Sequence, residues 1–402
     1  MRLLPTSASG RKNDPAKPRR NDLITWFQRI RKGAAKSSSN YGLRFARPLL
    51  LLQSDDWGRV GVRDCDGVEE LRVAGINLGE SPYDSYSLET AEDVFALSTV
   101  LKKHRDSAGR HPSLVMNFIM ANVDFDRSLA APDKGIHLVP LSDGLPGRWH
   151  RPHLFEAYRQ GIEEGVFFPA LHGLTHFCAH AVARALQSDG EHRRTLHTMW
   201  RAQTSYIHWR MPWIGYEFHD PAMDTKHRFL SIAAQRSSIS HAAAIYRNFF
   251  ATSTMSACAP GYRANRDTCR AWFESGIRIA QHGSDVGRRP YLDQCEMLHT
   301  FRTIDMEPAF APVGLPRLVA DIENCFDRGA PAILSLHSIN FHSTIRDFRT
   351  STLSLLDELL TILETRQSDL LYVHDADLLS IATQGFHFAE GKRIQVAAGA
   401  AN

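Results

Sequence analysis

From about residue 48 to residue 384, short apolar runs alternate with longer amphipathic segments. Leu49–Gln53 (LLLLQ) is apolar throughout, too short for a helix, and reads as a buried strand ending at Ser54-Asp55-Asp56. Leu88–His104 has helical spacing, Ser113–Met120 reads as a strand and Leu154–Glu164 as a helix. Val166–Leu171 reads as a strand that ends at His172. Residues 190–210 and 221–250 read as helical on either side of a loop-like stretch from Trp209 to His219. Phe250–Ala257 reads as a strand running into Pro260-Gly261-Tyr262. A helix over Arg266–Ser275, a strand over Gly276–Gln281, a helix over Pro316–Arg328 and a strand over Ala330–Leu336 follow, the last ending at His337. Arg346–Arg366 places Leu353, Leu356, Leu360 and Leu363 on one helical face. Leu370–Val373 and Asp377–Thr383 complete the pattern as a strand and a helix.

This alternation predicts an α/β fold built on a parallel sheet. No internal repeat is visible, and 402 residues suffice for one large barrel or two ordinary domains. Outside the alternating region the pattern fails. Residues 1–22 are polar and basic and read as disordered, Leu23–Ile30 as a short amphipathic helix, and residues 33–40 as a flexible linker. The stretch from about Phe386 is Gly/Ala-rich and reads as ragged. The expected division is a basic tail over 1–47, a folded body over 48–384 and a C-terminal tail over 385–402.

Charge sharpens that division. Residues 1–47 hold twelve Lys/Arg against Asp14 and Asp22, which leaves 35 Lys/Arg and 42 Asp/Glu for the rest. A basic tail is thus joined to a mildly acidic body. The tail has only Trp26 and Phe27 as interleaved aromatics, so nucleic acid is not expected as a partner; a weak contact with a membrane surface, or a targeting role, stays open. With 43% hydrophobic and 23% charged residues, the composition is that of an ordinary globular protein. The six Cys form no Cys-x-x-Cys pair, which argues against a disulfide scaffold or a cysteine-rich zinc site and for free thiols in a reducing compartment. No apolar run of 18 residues and no secretory h-region appears, so a cytoplasmic location without a transmembrane segment is expected.

The chemistry collects at predicted strand ends. Asp55-Asp56, His172, Pro260-Gly261-Tyr262 and His337 each follow one. In a parallel barrel these ends share a face, where catalytic groups gather. His172-Gly-Leu-Thr-His176 spaces two imidazoles at i and i+4, so that one helical turn aims both at one ion. With 20 His in the chain such a pair also arises by chance. Adjacent carboxylates repel, so Asp55-Asp56 at an apolar strand end calls for a compensating cation, although a solvated turn would also tolerate them. Together the two signals make a His₂-carboxylate set with open positions for water and substrate. The pair lacks the Glu of an HExxH zincin, so a base must come from elsewhere, and Asp55 is the natural candidate.

These motifs occur as Ser54-Asp55-Asp56-Trp57-Gly58, Pro169-Ala-Leu-His172-Gly-Leu-Thr-His176-Phe177, Pro260-Gly261-Tyr262 and Leu336-His337-Ser-Ile-Asn340-Phe341. In this order the chain resembles the polysaccharide deacetylase family (the NodB-homology domain), closest to a divergent branch with SDDWG, HGxxH and LHxxNF segments. The resemblance spans about residues 48–384. It implies a single-domain distorted (β/α)7 barrel and a metal-dependent hydrolase that removes an acyl group, usually N-acetyl, from a carbohydrate substrate. It implies that Asp56, His172 and His176 hold a divalent ion, with zinc the one expected. It also implies Asp55 as general base, His337 as general acid, and the backbone N–H of Tyr262 as an oxyanion donor. Trp57, Arg263, Asn340 and His282 are candidates for substrate contact.

Two departures stand out. The family places an Arg just before the Pro to orient the catalytic Asp, whereas Ala257-Cys258-Ala259 precede Pro260 here. Arg263 and Arg59 are candidates to replace it. The family's Asp-x-x-Asp-Trp element, which tunes the acid histidine, is not recognisable. Two other readings remain: a metal-dependent glycosidase, which needs a second carboxylic acid, and a carbohydrate-binding protein that keeps the fold without catalysis. A serine hydrolase is disfavoured, because no Gly-x-Ser-x-Gly elbow occurs.

Overall fold

The computed structural model describes residues 42–207, 211 and 213–400, which fall in one compact unit. The predicted helix and linker over residues 23–40 lie outside the described residues, as does Trp209.

Parallel strands form the frame. β1 (Leu49–Trp57) pairs with β2 (Leu114–Phe118), and the ladder continues through β3 (Phe167–Leu171), β4 (Ser256–Cys258), β5 (Ile279–His282) and β6 (Leu298–Phe301). From β6 the chain runs through Arg302 and Thr303 into β7 (Ile304–Asp305), which pairs with β8 (Ala332–His337). β8 then pairs with β1. Thus β6 and β7 serve as one stave that changes partner midway, and the circuit of pairings returns to its start. With that shared stave the circuit has seven members, the distorted (β/α)7 barrel expected from the resemblance. Helices such as Leu154–Glu163, Leu315–Asp327 and Arg349–Arg366 cover the outside, as parallel crossovers require.

The barrel interior is layered. Leu49, Leu51, Val115, Ile279, Leu298 and Ile333 pack together with Leu378 and Ile381 of the last helix, Asp375–Gln384, in one buried apolar cluster. Next comes a polar layer. Gln53 donates to Asp375 Oδ1 at 2.8 Å, Gln281 donates to Asp375 Oδ2 at 2.8 Å, and Ser256 also donates to that carboxylate. Asp55, His172 and His337 lie beyond this layer at the carboxyl ends of β1, β3 and β8. Alternation along β1 accounts for the order, since Leu49, Leu51, Gln53 and Asp55 share a face.

Three segments differ from the sequence expectation. Leu298–Asp305 (LHTFRTID) contributes the shared stave, though its mixed polarity does not read as a strand. The helix Ile232–Phe250 extends to where a strand was expected, and the strand shrinks to Ser256–Cys258. The stretch after Phe386 is ordered rather than ragged. Phe386–Ala389 and Lys392–Gln395 form a hairpin across Glu390-Gly391, which have φ of +48° and +77°, the signature of a tight primed turn. Ala398–Ala400 pairs with Leu43–Phe45, so the folded body begins ahead of Arg47. Among the described residues no helix is long and apolar enough to cross a membrane.

Candidate metal centre and active site

β1 delivers both aspartates through a break in its own regularity. Asp55 follows the strand alternation inward. Asp56 adopts φ +76°, and the ladder to β2 shifts register between Ser54 and Trp57. Without that break, Asp56 would face the helix layer. Instead its carboxylate meets the two histidines at the mouth. The Tyr86 hydroxyl donates to the Asp56 carbonyl at 2.6 Å and fixes the turn. A positive φ at a non-glycine residue is strain that persists only when its surroundings impose it.

The histidines come from β3 and the loop after it. His172 follows Leu171 directly, and its N–H donates to Phe118 O at 2.8 Å. The HGLTH segment is a loop, not the expected helical turn; the next helix begins at Ala179. Gly173 at φ +88° makes the bend, and a Cβ there would lie 2.0 Å from Glu217 Oε2. Glu217 in turn accepts the Leu174 N–H at 3.1 Å, which ties down the loop. Burial pushes the Glu217 carboxyl up to about 8, only partly offset by hydrogen bonds from Ser238 and the loop backbone.

The donor set suits a cation. His172 Nδ1 lies 3.0 Å from Cys258 O, and His176 Nδ1 lies 2.9 Å from Ile214 O. A carbonyl only accepts, so each Nδ1 carries a proton, and in the neutral ring each Nε2 is left with a lone pair. Both Nε2 atoms face Asp56 Oδ1, at 3.5 Å for His172 and 2.9 Å for His176. Burial pushes His176 down to about 4, with the Arg59 charge adding to the effect, so its ring is neutral at neutral pH. Asp56 Oδ1 is buried and, among the described residues, has no hydrogen-bond donor. Three potential ligand atoms within 4.8 Å of one another, one of them a carboxylate oxygen, suit a positive ion. Asp55, His172 and Cys258 also lie that close. That trio is a poorer site: burial raises the Cys258 thiol well above its usual range, and Asp55 is already engaged.

Arg302, at the point where the shared stave changes partner, engages it. Its guanidinium donates to Asp55 Oδ1 at 2.6 Å, and Asn117 donates to the same oxygen at 2.7 Å. Burial alone would raise the Asp55 carboxyl, but the Arg302 charge and hydrogen bond hold it at about 2. This answers what replaces the missing Arg before Pro260. Neither earlier candidate does so. Arg59 pairs with Asp56 Oδ2 at 3.1 Å, and Arg263 lies exposed, 5.7 Å from the Tyr216 ring centre.

His337 faces Asp55 from β8, with Nε2 3.8 Å from Asp55 Oδ2. Its Nδ1 lies 2.6 Å from Glu307 Oε1. Burial would lower this imidazole, but the Glu307 carboxylate more than offsets it and pushes it up to about 9. Glu307 is therefore the partner that favours the protonated imidazole. Asn340 donates to Glu307 Oε2 at 2.5 Å and accepts the Ala309 N–H at 2.9 Å, so it positions Glu307 rather than facing open space.

The remaining sequence candidates fall elsewhere. The Tyr262 N–H donates to Ala259 O at 2.8 Å within a tight turn, so it is not free for the oxyanion role; its hydroxyl instead accepts from Arg302 at 3.0 Å. Trp57 is fully buried and stacks on Phe341 with centroids 5.7 Å apart, which makes it core rather than a sugar platform. His282 points away from the interior, because its neighbour Gln281 points in, and it stacks on His299 with Nε2 2.8 Å from His299 Nδ1. Sequence reading missed Arg302, Glu307, Asn117 and Glu217. For Arg302 the available signal was an arginine within a run of otherwise strand-forming residues, Leu298–Ile304.

No protein-family model matches the chain, and no curated protein matches it. Solved structures are similar to it at low identity. A protein assigned as a polysaccharide deacetylase from Mycobacterium smegmatis is 10% identical, with 83% of this chain and 88% of that one aligned at a TM-score of 0.41. A CE4 family pseudoenzyme from Bacillus anthracis is 10% identical over 83% of this chain and 66% of that one, at 0.36. A 4-alpha-glucanotransferase from Thermococcus litoralis is 10% identical over 84% of this chain and 41% of that one, at 0.46. Polysaccharide deacetylases are therefore among the structural neighbours of this chain, while its chemistry rests on the side chains gathered at the barrel mouth.

Proposed function

We propose that the protein is a metal-dependent hydrolase that removes an acyl group, N-acetyl in the first instance, from a sugar or glycan. The observation that carries this reading is the opposition of two groups beside the metal trio: Asp55, held ionised by Arg302, and His337, held protonated by Glu307. Asp56, His172 and His176 would hold the ion, with zinc the expected occupant. A divalent ion held there would supply Lewis acidity, which polarises a carbonyl and lowers the pKa of water from about 16 towards 7. Asp55 is a weak base by itself, so it suits a water already acidified. It accepts the proton as the water attacks the acyl carbon. His337 delivers its proton to the departing nitrogen, without which an amine is a poor leaving group. Glu307 keeps the imidazole charged until then.

A glycosidase would need a carboxylic acid opposite Asp55. The group opposite is His337, and the carboxylate behind it has one oxygen on His337 and the other on Asn340. The geometry therefore favours acyl transfer to water. The test is a purified protein incubated with N-acetylated oligosaccharides, with acetate and reducing ends both measured. Acetate release is expected from the wild type. Asp55→Asn should retain the metal and lose turnover; His172→Ala should lose both. Metal-loaded protein that binds the sugars and releases neither product would replace this reading with a binding function.

A further inference from the structure

Arg59 has no role in the chemistry above, yet it touches the centre directly. It lies three residues past Asp56, and its N–H closes the turn on Asp56 O at 3.3 Å. Its side chain folds back so that Nη1 sits 3.1 Å from Asp56 Oδ2. The guanidinium carbon lies 4.0 Å from the centre of the Tyr206 ring and 5.2 Å from that of Tyr86. Arg59 is 5% exposed and Asp56 1%. A buried ion pair adds little net stability, because desolvation cancels most of its attraction; what such a pair does supply is a fixed geometry. Two aromatic faces and a hydrogen-bonded turn hold this guanidinium in one place.

The consequence lies in how the Asp56 carboxylate is divided. Oδ2 belongs to Arg59. Oδ1 faces His172 and His176 and has no donor among the described residues. We infer that Arg59 is a positioning residue that reserves Oδ2, so that a cation at this centre meets Asp56 through one oxygen only. This rests on the metal reading above and goes beyond it. A carboxylate left free can close on an ion with both oxygens, which fills a position that water or substrate needs. Sharing the carboxylate with a fixed positive charge also withdraws electron density from the ion's side. The ion is then held less tightly and acts as a stronger Lewis acid, as partners behind a metal ligand generally tune the metal. In the absence of a cation, Arg59 neutralises Asp56 and keeps the three donors in place.

The test uses the full-length protein with Co²⁺ as probe, because its visible spectrum reports coordination number without any substrate. Wild type, Arg59→Met and Arg59→Lys are compared by competitive chelator titration and by absorbance, with thermal melts to establish folding. Methionine fills the space between the tyrosines without charge. Arg59→Met should bind Co²⁺ at least tenfold more tightly, with an altered visible band as Oδ2 joins the ion. Arg59→Lys, which keeps the charge, should stay within about threefold of wild type and retain the wild-type band. A folded Met variant with wild-type or weaker affinity and an unchanged band overturns the role of Arg59 and leaves the metal centre standing. If the wild type takes up no Co²⁺, the metal reading fails and this inference fails with it.

Discussion

Replacing Glu307 with Gln tests the acid side of the site most directly. The change keeps the shape and a hydrogen-bond acceptor beside His337 but removes the charge. Glu307 is the largest influence raising the imidazole from its ordinary 6.5 to about 9 against the opposing effect of burial. Without that charge, burial should return it to 6.5 or below. A shift of 2.5 units corresponds to about 3.4 kcal/mol of differential interaction between the two protonation states. The sign follows from the role. The acid is active when protonated, so the rate is lost as pH rises through the imidazole pKa. Wild type should keep its acid form up to about pH 9 and the variant only to about pH 6.5. At pH 8 the protonated fraction falls from about nine in ten to about three in a hundred, so kcat should drop about 30-fold. At pH 6 the two should differ less than twofold. A bound divalent ion would lower the imidazole in both proteins, so the separation between the curves is the quantity to measure. The assay is kcat for acetate release between pH 5 and 10, with the His337 ring proton followed by NMR. Parallel profiles with the same alkaline limb would refute the assignment of His337 as acid and of Glu307 as its partner.

Arg302→Met should cost about 3–5 kcal/mol of stability by chemical denaturation, since it leaves Asp55 buried and charged without its main partner. It should also lower kcat at least 100-fold; a loss below about 1 kcal/mol would show that Asp55 does not depend on this pair. Glu217→Gln tests the loop anchor through the pH dependence of stability. A carboxyl raised to about 8 in the folded protein contributes stability below its unfolded pKa near 4.5, and this is lost as pH rises through 8. Wild type should therefore lose more melting temperature than the variant between pH 5 and 9, and equal slopes would rule out Glu217 as a titrating anchor.

Local patterning made much of the frame legible. Leu49–Gln53, Val166–Leu171 and Ala330–Leu336 are apolar runs that end at Asp55, His172 and His337, and each forms the stave expected of it. The clustering of Asp56, His172 and His176 was legible for a related reason, since they sit at those ends or a few residues beyond. What patterning does not encode is a strand whose inner face is polar. β6 carries Thr300 and then Arg302 towards the interior, in register with Gln281 of β5. Such a sequence reads as neither an apolar run nor a clean alternation, so the stave and its arginine were missed together. Glu307 was missed for a different reason, and Asn340 was singled out but for substrate contact rather than as its partner. Their partnership joins residues 33 apart on separate loops, and only the closed barrel brings them together.

The missing arginine before Pro260 shows how one such gap is filled. At that end of β4 the chain carries Ala257, Cys258 and Ala259, all small and all buried. Their size leaves room above Asn117 and Gln281, and a guanidinium enters that room from the stave beyond β5. Its Nη2 lies 4.0 Å from Cys258 Sγ and donates to Asp55. Burying an arginine is costly unless its donors find acceptors, and here Asp55 and Gln281 take Nη2 and the Tyr262 hydroxyl and Ser335 take Nη1, while Nε has no partner among the described residues. Lower still, Gln281 is itself held by Asp375, the first residue of the last helix. The charge beside Asp55 thus comes from a different strand than the motif would suggest, and its position depends on a polar layer reaching down to Asp375. The cation at Asp55 Oδ1 is thus supplied from position 302, in contact with the small buried side chain at 258.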